Sequence, residues 1–355
     1  MKDDIKFNGL PTLIGSIPLS DHQEAMAWIM EYTPAIPLWP QLPGKPQEGM
    51  LVQFMEGFPG LETDGDRLFF AADSERFQAE MVPFFEDFFS VTENPADLPH
   101  SRFGVSKERA QGLYTLAESC KESDLFAVKG QLTGPFTLLT GLTDQDKRAA
   151  FYDPTLRELV SKGTAMKAAW QVQFLKKIHE NVILFMDEPA LAGVGSSSLI
   201  SISNEEIAAD QAETINAIQQ AGGLAGVHVC ANTDWPLLLG LDYDIINFDA
   251  YGFFASFITC KSDILAFLER GGTIAWGIVP TAKEEDVEKE SVASLEGLWH
   301  EQISQLASDD WPISRILAQS LITPSCGTGS LSPAAARKVL ELTADLSARL
   351  REKFL

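Results

Sequence analysis

The sequence predicts an α/β fold of the (β/α)8 TIM-barrel type in a single domain, on three observations. Eight short apolar or β-branched runs are spread along the 355 residues. Helical patterns separate them. Polar, chemistry-bearing residues gather at the C-terminal ends of the runs, the face on which such barrels carry their sites. A doubly wound open sheet is the alternative, and it would place ligands at only one or two strand ends.

The first run, TLIGS at 12–16, ends in Ser16, and the second is AIPLW at 35–39. A long interval of about 43–126 then reads as an insertion between strands two and three, with helical patterns at 75–89 and 106–119. The third run, AVKGQ at 127–131, ends in Gln131. A helical pattern over 156–180 leads to the fourth, VILFMD at 182–187, which ends in Asp187. The next helix, over 203–223, has Ser203 or Asn204 as cap and Gly222-Gly223 as stop. The fifth run, AGVHVC at 225–230, ends in His228 and Cys230, and the sixth, IINFD at 245–249, ends in Asp249. The seventh is TIAWG at 273–277, and the eighth, LITPSC at 321–326, ends in Cys326. A final helix over 332–354 has Ser332 as N-cap and Pro333 in its first turn.

His228 and Cys230 carry the chemistry. Residues two apart on a strand share a face, so the imidazole and the thiol would project together. Zinc binds both imidazole nitrogen and thiolate sulfur. The bland alternative is a satisfied core histidine beside a buried cysteine. Cys326, among the small residues of TPSCGTG, would converge on the same barrel mouth, and the Asp249 carboxylate could reach the same point or cap the next loop instead. Cys120 and Cys260 have no such context, and His22, His100, His179 and His300 read as surface or helix histidines. Three protein ligands leave zinc an exchangeable position that can take a substrate thiol and hold it as thiolate. Two cysteine ligands lower the metal's Lewis acidity, which favours a nucleophilic thiolate over activated water. Alcohol-oxidising zinc enzymes use the same donors but need a dinucleotide site, and no G-x-G-x-x-G follows any strand.

Composition narrows the partners. A formal net charge of −23 argues against nucleic acid and anionic membranes and could suit a basic protein partner. The four cysteines show no framework spacing. The opening MKDDIKFNGLPTL lacks a signal-peptide core, and no apolar run reads as a membrane span, so a cytoplasmic protein is expected.

Five segments then resemble the catalytic C-terminal barrel of cobalamin-independent methionine synthase, within the group that includes uroporphyrinogen decarboxylase and the corrinoid-linked coenzyme M methyltransferases. They are PTLIGSIP (11–18), VKGQLTGPFTLL (128–139), FMDEPAL (185–191), GVHVCAN (226–232) and TPSCGTG (323–329). The resemblance implies zinc held by His228, Cys230, Cys326 and a carboxylate. Asp249 stands at the matching strand end, where the family usually has Glu. It also implies homocysteine as acceptor, with Ser16 and Asp187 on its backbone groups; Gln131, a polar residue at the end of its own strand, is expected to bind substrate as well. A carboxylate such as Asp187 suits an ammonium group. The synthase places a histidine after strand seven to protonate a folate leaving group, whereas this sequence has WGIVPTAKE (276–284). A methyl-corrinoid leaves without a proton, so a corrinoid or a corrinoid protein is the expected donor. The competing readings are 5-methyltetrahydrofolate as donor, coenzyme M as acceptor, a metal-free decarboxylase, and a barrel with a purely structural zinc. Residues 1–60 hold no arginine of the kind a decarboxylase would use to grip its substrate's carboxylates.

Overall fold

The computed structural model describes residues 5–65, 67–121, 123–194, 199 and 201–355. Ten strands run in chain order: β1 (Leu10–Pro11), β2 (Leu61–Asp64), β3 (Arg67–Phe70), β4 (Val128–Thr133), β5 (Thr143–Asp144), β6 (Val182–Asp187), β7 (Leu224–Val229), β8 (Ile245–Phe248), β9 (Thr273–Val279) and β10 (Ser320–Pro324). Seven of them form one parallel sheet in the order β1-β10-β9-β8-β7-β6-β4. Parallel neighbours need crossovers, and these are helical: Asn204–Gln220 before β7, Trp235–Gly240 before β8, Ala250–Phe257 and Lys261–Glu269 before β9, and Val292–Leu306 before β10.

The sheet is curled. Along β6, Val182, Leu184 and Met186 join the large core under the helices, while Ile183 and Phe185 turn to the other face. There they meet Phe7, Leu10, Ile36, Ala127, Ile245, Ala275 and Leu321 in a second, inner cluster. Residues from both ends and the middle of the sheet can share one small cluster only if its concave face closes around them. This is half of a barrel, with apolar residues buried on both faces, and the strands accordingly read as continuous hydrophobic runs.

The second expected strand, 35–39, does not form a ladder. It lies within TPAIPLWP, where Pro34, Pro37 and Pro40 stand at every third position and cannot donate a backbone hydrogen bond. What remains is isolated: a parallel bridge of Leu38 with Lys129, another of Ser16 with Gln41, and bonds from Phe126 N to Ala35 O (2.8 Å) and Lys129 N to Pro37 O (2.9 Å). The first strand is likewise shorter than expected and shifted toward the N-terminus, although Thr12 N still reaches Ile322 O at 3.1 Å.

The interval 43–126 contains the β2–β3 hairpin, and β3 continues in parallel to β5. The helix expected at 75–89 runs Glu75–Glu93, capped by Ser74, and the one expected at 106–119 starts later, at Gln111. The long helices at 156–180, 203–223 and 332–354 are observed as Pro154–Leu175, Asn204–Gln220 and Pro333–Phe354, with the Ser203/Glu206 capping box and the Ser332 cap in place. One expectation needs correction. The continuous helical stretch Ala250–Glu269 is long and apolar enough by composition to cross a bilayer, yet here it buries Phe254, Phe257, Ile264, Phe267 and Leu268 in the core. His22 is a helix histidine, as expected, at the start of the helix His22–Tyr32, and it is buried there with its Nε2 2.7 Å from Glu48 Oε1.

Gly226 leaves room for the Phe185 ring on the inner face of the sheet beneath the site. It is the register partner of Phe185, and a Cβ there would lie 2.3 Å from the Phe185 ring. Gly226→Ala should therefore lower unfolding stability by about 1–3 kcal/mol, the range for overpacking a core. In urea titrations, Phe185→Leu in the same chain should recover part of that loss, because the shorter side chain vacates the contested volume. Additive losses in the double variant would show that the two residues do not compete.

Candidate metal centre

The alternation that turns Phe185 inward also turns Gly226, His228 and Cys230 inward along β7. Cys326 follows β10 after Ser325. Strands β8 and β9 separate β7 from β10 in the sheet, so the curl alone brings their ends together. One ligand nitrogen of His228 and the Sγ atoms of Cys230 and Cys326 all lie within 4.8 Å of one another.

Asn247 decides how the imidazole presents itself. It sits beside His228 in the β7–β8 register, and its Oδ1 is hydrogen-bonded to His228 Nδ1. Its Nδ2 donates to Ala275 O (3.0 Å) and to Thr323 Oγ1 (2.8 Å). With both amide hydrogens used, Oδ1 must be the acceptor and Nδ1 must carry the proton. In its neutral form His228 then presents a lone pair on Nε2, an atom that is buried without a hydrogen-bond partner among the described residues. Burial opposes protonation there, but the neighbouring Cys230 and Asp187 raise the pKa of the metal-free imidazole on balance. A ring held by an amide oxygen on one nitrogen, with a lone pair on the other, is the arrangement of a metal-binding histidine. One imidazole nitrogen and two sulfurs suit a borderline-soft divalent ion and leave a position open. The residues present therefore fit zinc.

Charge at the site is mutually arranged. Hydrogen bonding from the Cys326 thiol, with help from His228, lowers Cys230 to about 4, and Cys326 is raised in consequence. Burial raises Asp187 to about 6, opposed by His228 and Lys129, and its Oδ1 has no partner among the described residues. Burial also raises Asp249 to about 6.

The other expected residues fall as follows. Asp249 lies outside the three-ligand group, and its Oδ1 caps the helix Ala250–Phe257 through Gly252 N at 2.7 Å. Ser16 walls the Cys326 loop: its backbone O accepts from Thr328 N (2.9 Å) and its Oγ from Gly329 N (3.2 Å). A Cβ on Gly327 would lie 2.1 Å from Ser16 Oγ, so the TPSCGTG glycine permits this approach. Gln131 is fully buried on β4, donates to Trp39 O at 2.9 Å, and keeps an unpartnered Oε1.

Residue-by-residue reading of the sequence passed over Asn247 and Lys129. Each is a polar residue inside an apolar strand, which was the available signal. Lys129 is completely buried, donates to Ile14 O at 2.7 Å, and lies 4.4 Å from the Phe185 ring centroid. Burial lowers it to about 7, opposed by Asp187. Glu188, next to Asp187, faces a different environment. It accepts from Phe136 N (3.0 Å), Thr137 N (2.8 Å), Thr137 Oγ1 (2.6 Å) and Gln211 Nε2, and so ties the β4 loop to the helix Asn204–Gln220.

Among solved structures, the chain is similar to a Listeria monocytogenes protein provisionally assigned as a vitamin-B12-independent methionine synthase. The match has a TM-score of 0.56 at 14% identity and covers 98% of this chain and 99% of that one. At this identity the likeness is one of fold. No protein-family model and no curated protein matches the sequence.

The burial of Asp187 makes a pH-dependent prediction. Its folded pKa lies above its ordinary value of 3.8, so its contribution to stability is fully present below about pH 4 and is lost as pH rises through about 6. Asp187→Asn should raise the melting temperature of the metal-free protein at pH 8 and leave it nearly unchanged at pH 4. A variant less stable than the parent at pH 8 would contradict the unpartnered state of this carboxylate.

Proposed function

We propose that this protein is a zinc-dependent methyltransferase that moves a methyl group to the thiol of homocysteine, with a methyl-corrinoid or a corrinoid protein as donor. The observation that carries the reading is the group of His228, Cys230 and Cys326 at the C-terminal end of a curled parallel sheet, with Asn247 leaving His228 Nε2 free. The fold likeness to a protein provisionally assigned as a methionine synthase supports the same reading. In this reading the chain is one barrel domain, with segment 35–41 standing between β1 and β4 as the eighth stave and 43–126 as an insertion.

His228, Cys230 and Cys326 would hold the zinc. When bound, the ion lowers the pKa of a substrate thiol and keeps it as the nucleophilic thiolate. Asn247 holds the His228 ring in the tautomer that binds. Asp187 offers its free Oδ1 to the ammonium group of the amino acid, and Ser16 holds the Cys326 loop against the acceptor's other end. The acceptor sulfur then attacks the donor methyl carbon; the S–C bond forms while the C–Co bond breaks, and its electron pair leaves on cobalt. That departure needs no general acid. At the β9 end Thr281 N and Oγ1 are hydrogen-bonded to Ser325 Oγ at 3.1 and 3.0 Å, where the synthase family would have its histidine, and this supports a donor that leaves without a proton. A folate amine would need a proton at that step.

The assay separates donor from metal. Purified protein should carry about one zinc per chain, bound with the ~2.0–2.3 Å ligand distances usual for nitrogen and sulfur. Cys326→Ser should lose the zinc and the activity together, whereas a variant that kept full zinc would remove Cys326 from the ligand set. With homocysteine, methylcobalamin should yield methionine and methyl-folate little or none. The reverse preference would overturn the donor and leave the thiolate chemistry standing.

A further inference from the structure

Among the described residues, three buried polar atoms lack partners on adjacent strands of the sheet: Gln131 Oε1 on β4, Asp187 Oδ1 on β6 and His228 Nε2 on β7. The third belongs to the metal centre and the second to the ammonium site proposed above. The first is unassigned to any particular group of the substrate. Gln131 is the register partner of Phe185, so it faces inward one pleat below Asp187.

The orientation of its amide is set from a distance. The backbone oxygen of Arg109 can only accept, and Gln53 Nε2 donates to it at 2.7 Å. Gln53 Oε1 therefore points the other way and accepts from Gln41 Nε2 at 2.6 Å. Gln41 Oε1 in turn accepts from Gln131 Nε2 at 3.4 Å, and Trp39 O accepts from the same nitrogen at 2.9 Å. Both amide hydrogens of Gln131 have acceptors, so its Oε1 is left with lone pairs and nothing to receive. Gly15 makes room for the relay, since a Cβ there would lie 2.6 Å from Gln41 Oε1 and 3.1 Å from Gln131 Nε2.

A buried amide oxygen without a donor is costly, roughly 1–3 kcal/mol, and a glutamine free to turn would have other options. Here the relay forbids the turn. Gln131 and Asp187 together present acceptors and no donors. Lys129, the nearest cation on the same strand, is directed at Ile14 O and the Phe185 ring. The complement to such a surface is a cation with several N–H bonds.

We infer that Gln131, its amide locked by the Gln41–Gln53 relay, is a specificity-determining residue that accepts a hydrogen bond from the ammonium group of the acceptor thiol; this rests on the thiol-acceptor reading above. The relay selects amino thiols over thiols whose far end is neutral or anionic.

The test is calorimetric binding to the zinc-loaded full chain, with homocysteine, its des-amino counterpart 4-mercaptobutyrate, and 2-mercaptoethanesulfonate. The parent should prefer homocysteine. Gln131→Met, which conserves volume, should weaken homocysteine about tenfold and leave 4-mercaptobutyrate unchanged, with zinc content intact. Gln41→Leu frees Gln131 to turn and should produce a smaller loss of the same selectivity, which keeps the test available if Gln131→Met folds poorly. Equal weakening of both thiols, or no weakening of homocysteine, would overturn the inference while leaving the acceptor site in place. A parent that binds none of the three thiols would overturn the acceptor reading itself, and this inference with it.

Discussion

The hydrogen bond between His228 and Asn247 organises the site. It joins β7 to β8, and the same asparagine reaches Ala275 on β9 and Thr323 on β10. Four consecutive strands are thus cross-linked at one level by one buried side chain, in an interior where hydrogen bonds are strong because water does not compete. The bond fixes the histidine tautomer, and through Thr323 it anchors the strand that delivers Cys326. If either amide hydrogen of Asn247 lost its acceptor, the amide could flip and present N–H to an imidazole that needs an oxygen. The metal-binding nitrogen would then be decided by chance and not by the fold.

Around this bond the interior is more polar than a barrel core needs to be. Lys129 and Gln131 face inward level with Ile183 and Phe185, and Asp187, His228 and Asn247 face inward one pleat above Phe185. Burying such groups opposes folding unless each finds a partner. Asn247 and Lys129 do, and Glu188 beside them accepts four hydrogen bonds. Gln131, Asp187 and His228 each keep one atom unpaired. Other unpaired buried atoms lie on helices, such as Thr164 Oγ1, Thr214 Oγ1 and Gln302 Oε1, but on the strands of the parallel sheet these three, on neighbouring strands, are the unpaired ones among the described residues.

The loop carrying Cys326 is held from two sides. Ser325 N reaches Val279 O at 2.8 Å, and a shift in the β9–β10 register at Thr323/Pro324 re-aims the chain as it leaves the sheet. On the other side Ser16 receives Thr328 and Gly329. The proline-rich segment 34–40 cannot pair as a full strand, yet it places Trp39 O and Gln41 where the Gln131 amide needs acceptors. Its missing ladder bonds and its role at the site have one cause, since a segment bonded along its whole length would have fewer groups free to turn to its neighbours.

Much of this was legible in the sequence because it depends on local period and residue type. Apolar runs such as VILFMD and AGVHVC, the glycine and serine caps, and the long helical patterns located the seven ladder strands to within a few residues, and the two-residue step of a strand put His228 and Cys230 on one face. The motif TPSCGTG marked Cys326 as the remaining thiol for the same end of the fold. The sequence alone did not determine distance or pairing. That β7 and β10 meet across two intervening strands follows from the curl of the whole sheet, a relation between strands that no single run reveals. Asp249 reads equally well as a ligand or as a cap, and its place in the fold shows it capping a helix. Asn247 and the Gln131–Gln41–Gln53 relay join residues far apart in the chain, and hydrogen-bond direction is settled only when every donor and acceptor in the network has been placed. The sequence therefore determined which chemistry is available, and tertiary structure decided which atoms are left free to perform it, because a lone pair is free only after all its neighbours have been satisfied.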